Sequence, residues 1–296
     1  MPSMMTCLRL GRPDVVQRMR ADYLRTLVAP MDGMWEKAVI AHAVCWDIRE
    51  RGRHAGYACV GPDNALLRVH LAGGDGARAR ETFRWFVAAH GIRRAIAGTI
   101  EPPYLSLCLA RQRGSALHSY LFRDHTRGAT PSGLGDAIFR TAEEGEFDAL
   151  ARFYHTNTEG PGEWIGAFLR ERLARGELCG LYDRQGVLAT GECIPHRAQP
   201  PYADLGIVVA RASRGRGLGS AMLARLKEHC YDAGWQPICS CAADNSASKR
   251  AIEKAGFISA HRMLEIVLQE ENSTHPLLSG VSRQDDRSPN ESRGTL

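Results

Sequence analysis

Between Val208 and Cys230 the chain reads VVARASRGRGLGSAMLARLKEHC, with Gly215, Gly217 and Gly219 at alternate positions beside Arg214 and Arg216. A glycine inside a helix costs about 1 kcal/mol relative to alanine. Three of them opening an apolar, helix-like run imply a need for bare backbone. A strand, a glycine turn and a helix start together form an anion cradle, because free N–H groups and the positive end of the helix dipole face a phosphate. The Walker loop ends in Gly-Lys-Ser/Thr, and no such pair follows these glycines. The dinucleotide fingerprint read from Gly215 ends on Ser220, and no acidic residue is evident at the end of a following parallel strand. A third pattern fits Arg214 to Gly219 without a gap: Arg or Gln, two residues, Gly, one residue, Gly.

The elements that must position this cradle are legible around it. AIFRTA (137–142) alternates like a strand, and EGEFDALARFYHT and EWIGAFLRERLARG read as amphipathic helices. ELCGLYD and VLATGECIP form a hairpin about Arg184–Gly186, and ADLGIVVA is a strand rich in β-branched residues. The helix after the glycines stops at Gly234. PICSCAA is a strand, DNSASKRAIEKAG a helix capped by Asp244 or Asn245, and FISAHRMLEIVL one or two strands. The first half shows the same order of strand, strand, helix, strand, helix, strand between GYACVG and SALHSYLFR, which reads as a structural repeat. RGATPSGLGDA separates the halves. The expected organisation is 1–128, a linker at 129–136, 137–268, and a disordered polar tail at 269–296.

The chain has 296 residues and 44% hydrophobic residues, enough for a sizeable core. Its net charge of +5 comes from 34 arginines spread along the length and only four lysines, so no nucleic-acid stripe is expected. The nine cysteines are odd in number, and Cys59, Cys193, Cys239 and Cys241 lie in apolar strand-like runs, so reduced core packing is expected. Cys239 and Cys241 have no histidine at metal-ligand spacing, and no metal is expected. No run approaches 18 uninterrupted apolar residues, and the start lacks a signal-like apolar core. A cytoplasmic protein without membrane contact is the expectation; the oligomeric state is left open.

The third glycine pattern resembles that of the GNAT superfamily of acyl-CoA-dependent N-acetyltransferases. Val209, ending a strand five residues before Arg214, also matches, as does Asn245 followed eleven residues on by Gly256-Phe257. The resemblance covers roughly 138–268 and implies an α/β fold of two GNAT-like halves. Each would be a mixed, mostly antiparallel twisted sheet flanked by helices. It implies that the diphosphate of acetyl-CoA, the co-substrate, lies on the amides of Arg214, Gly215, Arg216, Gly217, Leu218, Gly219 and Ser220. The pantetheine arm would pair with the backbone of Ile207 and Val209, where the strand ending there splays from Ile238–Ala242. Asn245, and Ser248 one turn on, would contact the same arm. The first half reads LAGGDGARA at the corresponding turn, with Asp75 where a phosphate would sit and no arginine before it. It is expected to be a degenerate copy that binds no CoA.

The activity implied is acetyl transfer to a primary amine of a small molecule or peptide. A lysine-like amine is about 4–5 kcal/mol from its neutral form at pH 7, so a base is needed. Asp204 and Glu192 are the candidates, each also readable as a strand-end charge. The family's tyrosine acid stands seven residues after the asparagine, and that position here is Ile252. Tyr202, ahead of Tyr154, is the candidate substitute; unaided departure of the thiolate is the other possibility. Glu159 and Glu163 could attract a cationic acceptor or serve as cap and surface charge. Two alternatives stand beside this reading. One is a catalytically silent CoA-binding or partner-binding module, which Ile252 keeps open. The other is an acyl- or aminoacyltransferase using a different donor.

Overall fold

A computed structural model describes residues 5–10, 13–72, 76–126, 136–159 and 162–270. Asp75, most of the linker expected at 129–136 and the tail from 271 lie outside the described residues. The elements of the first half are β1 (Met5–Arg9), α1 (Pro13–Leu24), β2 (Val44–Glu50), β3 (Arg53–Val60), β4 (Ala65–Leu71), α2 (Ala77–His90), β5 (Arg94–Gly98), α3 (Pro102–Leu109) and β6 (Gln112–Asp124). Those of the second are β7 (Ile138–Thr141), α4 (Phe147–Asn157), α5 (Glu163–Ala174), β8 (Leu178–Asp183), β9 (Gly186–Pro195), β10 (Tyr202–Val209), α6 (Leu218–Asp232), β11 (Gln236–Ala242), α7 (Ser246–Lys254) and β12 (Phe257–Leu268). The repeated order read from the sequence is present. Ahead of it the first half also carries β1, α1 and β2, which the sequence pattern did not reveal.

The two compact units do not follow the chain in two blocks. The first comprises residues up to Met31, Trp35–Leu117 and those from Met263 on; the second comprises Asp32–Met34 and His118–Arg262. The cause is an exchange of strands. In the first unit β1 to β4 form an antiparallel meander, β5 adds in parallel to β4, and the end of β12, Met263–Val267, pairs antiparallel with β5. In the second, β7 to β10 form the meander, β11 adds in parallel to β10, and Ser119–Arg123 of β6 pairs with β11. Each parallel pair thus receives its antiparallel neighbour from the other half of the sequence. The sequence-based boundary at 137 leaves β6 out of the second unit, because a strand's partner is not visible in local pattern.

Both faces of the second sheet are covered. Helix α6 presents Leu218, Met222 and Leu226 at helical spacing, with Leu223 and Cys230, to Cys179, Ala189, Ala203 and Leu205. Each fully buried side chain of this size contributes about 1.5–3 kcal/mol. On the opposite face α4 and α5 pack Leu150, Phe153, Tyr154, Ile165 and Leu169 around Leu178, with Val208 and Ala210 at the margin. The end of β6 is tied to α6 by polar groups. The ammonium of Lys227, 3% exposed, lies 2.5 Å from Asp124 and donates to the carbonyls of Thr126 and Ala255, while the Tyr231 hydroxyl donates to Asp124 at 2.6 Å. All nine cysteines are free thiols, eight of them buried.

Candidate active site

The parallel pairing of β10 and β11 covers Tyr202–Asp204 against Gln236–Ile238 and ends there. From Leu205 on, β10 keeps only its antiparallel partner β9. Ala210 donates its N–H to Leu188 on the β9 side. Backbone groups of an antiparallel strand alternate between its two neighbours. The N–H and C=O of Leu205, Ile207 and Val209 therefore face the gap where β11 has parted. Their side chains lie on the α6 side of the sheet, among the core residues there. Tyr202, Asp204, Gly206 and Val208 alternate onto the face covered by α4 and α5.

The glycine loop opens α6 beside this gap, and its glycines have separate reasons. Gly215 and Gly217 have φ of +78° and +82°, a region that suits glycine, and a Cβ at either would meet nothing within 4 Å. Gly217 is the N-cap residue of α6, immediately before Leu218. The space beside both is open to a ligand. Gly219 is helical and close-packed: a Cβ there would stand 3.3 Å from Ile207 Cδ1 and 3.4 Å from Ala251 Cβ. The Ser220 hydroxyl donates to the Gly217 carbonyl at 2.9 Å, and Leu218 is buried. Arg216 is exposed. Arg214 instead ties down the loop, with Nε donating to the Val209 carbonyl at 3.3 Å and Nη2 to the Asn157 carbonyl at 2.8 Å. Asn157, buried at the end of α4, also accepts the Arg211 N–H at 2.7 Å. Asn157 was not singled out from sequence; a polar residue at a helix end carries no local sign of a partner 54 residues away. Asn245 caps α7, its Oδ1 accepting the Ser248 N–H at 3.0 Å.

The candidate acid–base groups lie on the opposite face. Glu192 pairs in register with Gly206 across β9 and β10, and a Cβ on Gly206 would stand 2.3 Å from Glu192 Oε2. The Glu192 carboxyl is 8% exposed, and burial pushes it above the usual carboxylate range; a hydrogen bond donated by the Tyr154 hydroxyl opposes that shift. Thr190 donates to the same Tyr154 oxygen at 3.2 Å. Burial likewise raises the Tyr154 phenol well above its ordinary value, with the Glu192 charge adding to the effect. Asp204, 7% exposed, sits at the last paired position of the gap and accepts the Gly33 N–H at 2.9 Å. Glu192 and Asp204 are thus diagonal neighbours on one face of adjacent strands. Tyr202 is two residues before Asp204, in the paired section. At about 3.3 Å per residue its backbone is about 13 Å from Gly206. The structure brings Tyr154, not Tyr202, to the Glu192 carboxyl. Ile252 is 3% exposed within the α6-side core and has no proton to give. Glu159 is exposed, with its carboxylate 3.7 Å from Arg211; the side chain of Glu163 is outside the described residues.

The first unit has a matching gap, since β4 and β5 pair only at Ala65–Arg94 and Leu66–Ala95. There the chain's own polar groups occupy the corresponding face. Arg68, 1% exposed, pairs with Glu36 and lies 4.2 Å from the centre of the Tyr23 ring, and Arg20 pairs with the same Glu36 at 2.5 Å. The Tyr23 hydroxyl donates to Glu101, whose carboxyl burial pushes up to about 7.

Comparisons with known proteins bear on the family and the fold. A family model described as an acetyltransferase (GNAT) domain matches residues 13–125, and a second model with the same description matches 135–258. An acetyltransferase from the GNAT family from Colwellia psychrerythraea is similar in structure, with a TM-score of 0.82 and 26% identity over 89% of this chain and all of that one. A tandem GNAT protein from the clavulanic acid biosynthesis pathway has a TM-score of 0.57 at 16% identity, covering 90% of this chain and 100% of its own. A GCN5-related N-acetyltransferase from Sphaerobacter thermophilus has the same TM-score at 14% identity, covering 90% of this chain and 97% of its own. These last two share the fold. No curated protein matches the chain significantly. Among the described residues no helix is long and apolar enough to cross a membrane, and no group of three or more metal-ligating side chains gathers.

Proposed function

Because the chain belongs to the GNAT acetyltransferase family, with two of its domains in tandem, we propose that its second unit transfers an acetyl group from acetyl-CoA directly to a primary amine of a small molecule or peptide. The observation that carries this is the gap beyond Asp204–Ile238. The backbone of Ile207 and Val209 faces it, the glycine-opened start of α6 lies on one side, and two buried carboxylates lie on the other.

Acetyl-CoA supplies the acetyl group as a thioester. The amides from Gly215 to Ser220, with the dipole of α6 behind them, hold its phosphates. Arg216 adds charge, and Arg214 keeps the loop in shape through Val209 and Asn157. Ile207 and Val209 hold the pantetheine arm as an added strand would be held, and Asn245 and Ser248 flank it. A backbone N–H of the parted strand polarises the thioester carbonyl. Glu192, a buried carboxylate whose pKa burial raises, accepts the proton of the attacking amine. Asp204 holds the incoming amine. With isoleucine at position 252 and Tyr154 engaged with Glu192, the thiolate leaves unprotonated; its pKa lies within about two units of neutral.

The test is free-thiol release from acetyl-CoA with methylamine, ethanolamine, putrescine, tyramine and glycinamide, each followed by mass detection of the acetyl product. At least one amine raises the rate above hydrolysis and is acetylated. Ile252 favours a second reading, a silent CoA-binding module. Tight acetyl-CoA binding with no acetylated amine from this panel would replace the first reading with that one.

A further inference from the structure

Residues 32–34 belong by packing to the second unit although they stand more than eighty residues before the rest of it. Two hydrogen bonds join them to the two sides of the gap. On β10, Asp204 Oδ1 accepts the N–H of Gly33 at 2.9 Å in a buried setting. On β11, the hydroxyl of Ser240, two residues past the last paired residue Ile238, donates to Asp32 Oδ2. One dipeptide therefore spans the strands where their own pairing has ended. The backbone approach requires glycine. A Cβ at Gly33 would stand 2.2 Å from Asp204 Oδ2 and 3.1 Å from its Cγ, with His196 at 3.5 Å. The aspartate could not keep its position under any larger residue.

We propose that Asp32–Gly33 is a strap that positions Asp204 and fixes the width of the gap on the amine side, so that it determines how well the acceptor is bound. This rests on the reading of the second unit as an amine acetyltransferase. An amide donor orients the Asp204 carboxylate without cancelling its charge, which is what a group holding an amine needs. The Asp32–Ser240 bond keeps the dipeptide seated. Asp32 Oδ1 also accepts the Met34 N–H at 2.8 Å, so an asparagine keeps that bond with its amide oxygen and meets Ser240 Oγ with its NH2, the serine oxygen then accepting. The strap lies on the face opposite the glycine loop, so its loss bears on the amine and not on the nucleotide end of the donor.

The experiment measures kcat, the KM for the fastest amine of the panel above, and the Kd for acetyl-CoA. It compares the wild type with Gly33→Ala, Asp32→Ala and Asp32→Asn. Gly33→Ala raises the amine KM at least tenfold, with kcat within threefold and the acetyl-CoA Kd within twofold. Asp32→Ala raises the amine KM three- to tenfold, and Asp32→Asn restores it to within twofold of wild type. If Gly33→Ala fails to fold, the two Asp32 variants decide. An unchanged amine KM in folded Gly33→Ala and Asp32→Ala overturns the proposal. So does a parallel loss of kcat and acetyl-CoA affinity, which marks a general structural role. A wild type that acetylates no amine removes the underlying reading, a result distinct from either.

Discussion

Burial lifts the Glu192 carboxyl above its usual range, so it holds a proton at a pH where an exposed glutamate has lost its own. As a base it works only when deprotonated. The amine-dependent rate is therefore expected to rise with pH through this raised pKa, with its acidic limb above the ordinary glutamate value of about 4.3. Glu192→Gln removes that limb and lowers kcat by roughly 10²–10⁴-fold. Tyr154→Phe removes a donor that favours the carboxylate, and its limb moves to higher pH. The pH dependence of kcat/KM for the three proteins checks this; an unmoved limb in Glu192→Gln assigns the base elsewhere. The stability effect has a fixed sign. The folded state retains a proton longer than the unfolded chain, so Glu192 lowers stability as pH rises from the ordinary toward the raised pKa. Glu192 was legible in the sequence as a carboxylate on a strand beside the central one. Its pairing with Tyr154 was not, because helix α4 shows which residues are apolar but not which hydroxyl meets which acid across 38 positions.

The glycine loop and the two strands beside it were the most legible elements, because backbone demands leave their mark in residue type. Gly215 and Gly217 supply left-handed φ, and Gly219 supplies close approach. These needs are local, and so is their sequence signature. The first fifty residues were not parsed: in α1, PDVVQRMRADYL, six of the twelve residues are apolar, yet among those whose burial is described only Tyr23 and Leu24 are buried. The strap is less legible still. Asp-Gly-Met has no period, and its partners stand 171 and 208 positions away. Strand exchange is also a long-range fact, and it carries a prediction. A fragment of residues 137–268 lacks the β6 segment that pairs with β11 and contains a β12 end with no β5 beside it. It also strips Lys227 of Asp124 and of the Thr126 carbonyl. The fragment is expected to show no cooperative thermal transition and no acetyl-CoA binding. A cooperative melt with full-chain affinity would show that the exchange is dispensable.

Across the whole molecule, two domains of one family have taken different forms. In the second unit the parted strands expose the backbone of Ile207 and Val209 beside a glycine-opened helix. In the first, the corresponding face of the gap carries Arg68, Glu36, Tyr23 and Glu101, bound to one another. An internal ion pair and an aromatic contact fill that face of the first unit. The central claim is that a single glycine-built cradle in each chain holds the donor. Calorimetric titration of acetyl-CoA into the full chain and into Gly217→Val, both shown to be folded, tests it most directly. Gly217 needs a left-handed φ and borders open space, so valine there both strains the loop and projects where phosphate must lie. The account predicts one site per chain in the wild type and loss of nearly all binding in the variant. Two equivalent sites in the wild type, or equal affinity in Gly217→Val, would contradict it.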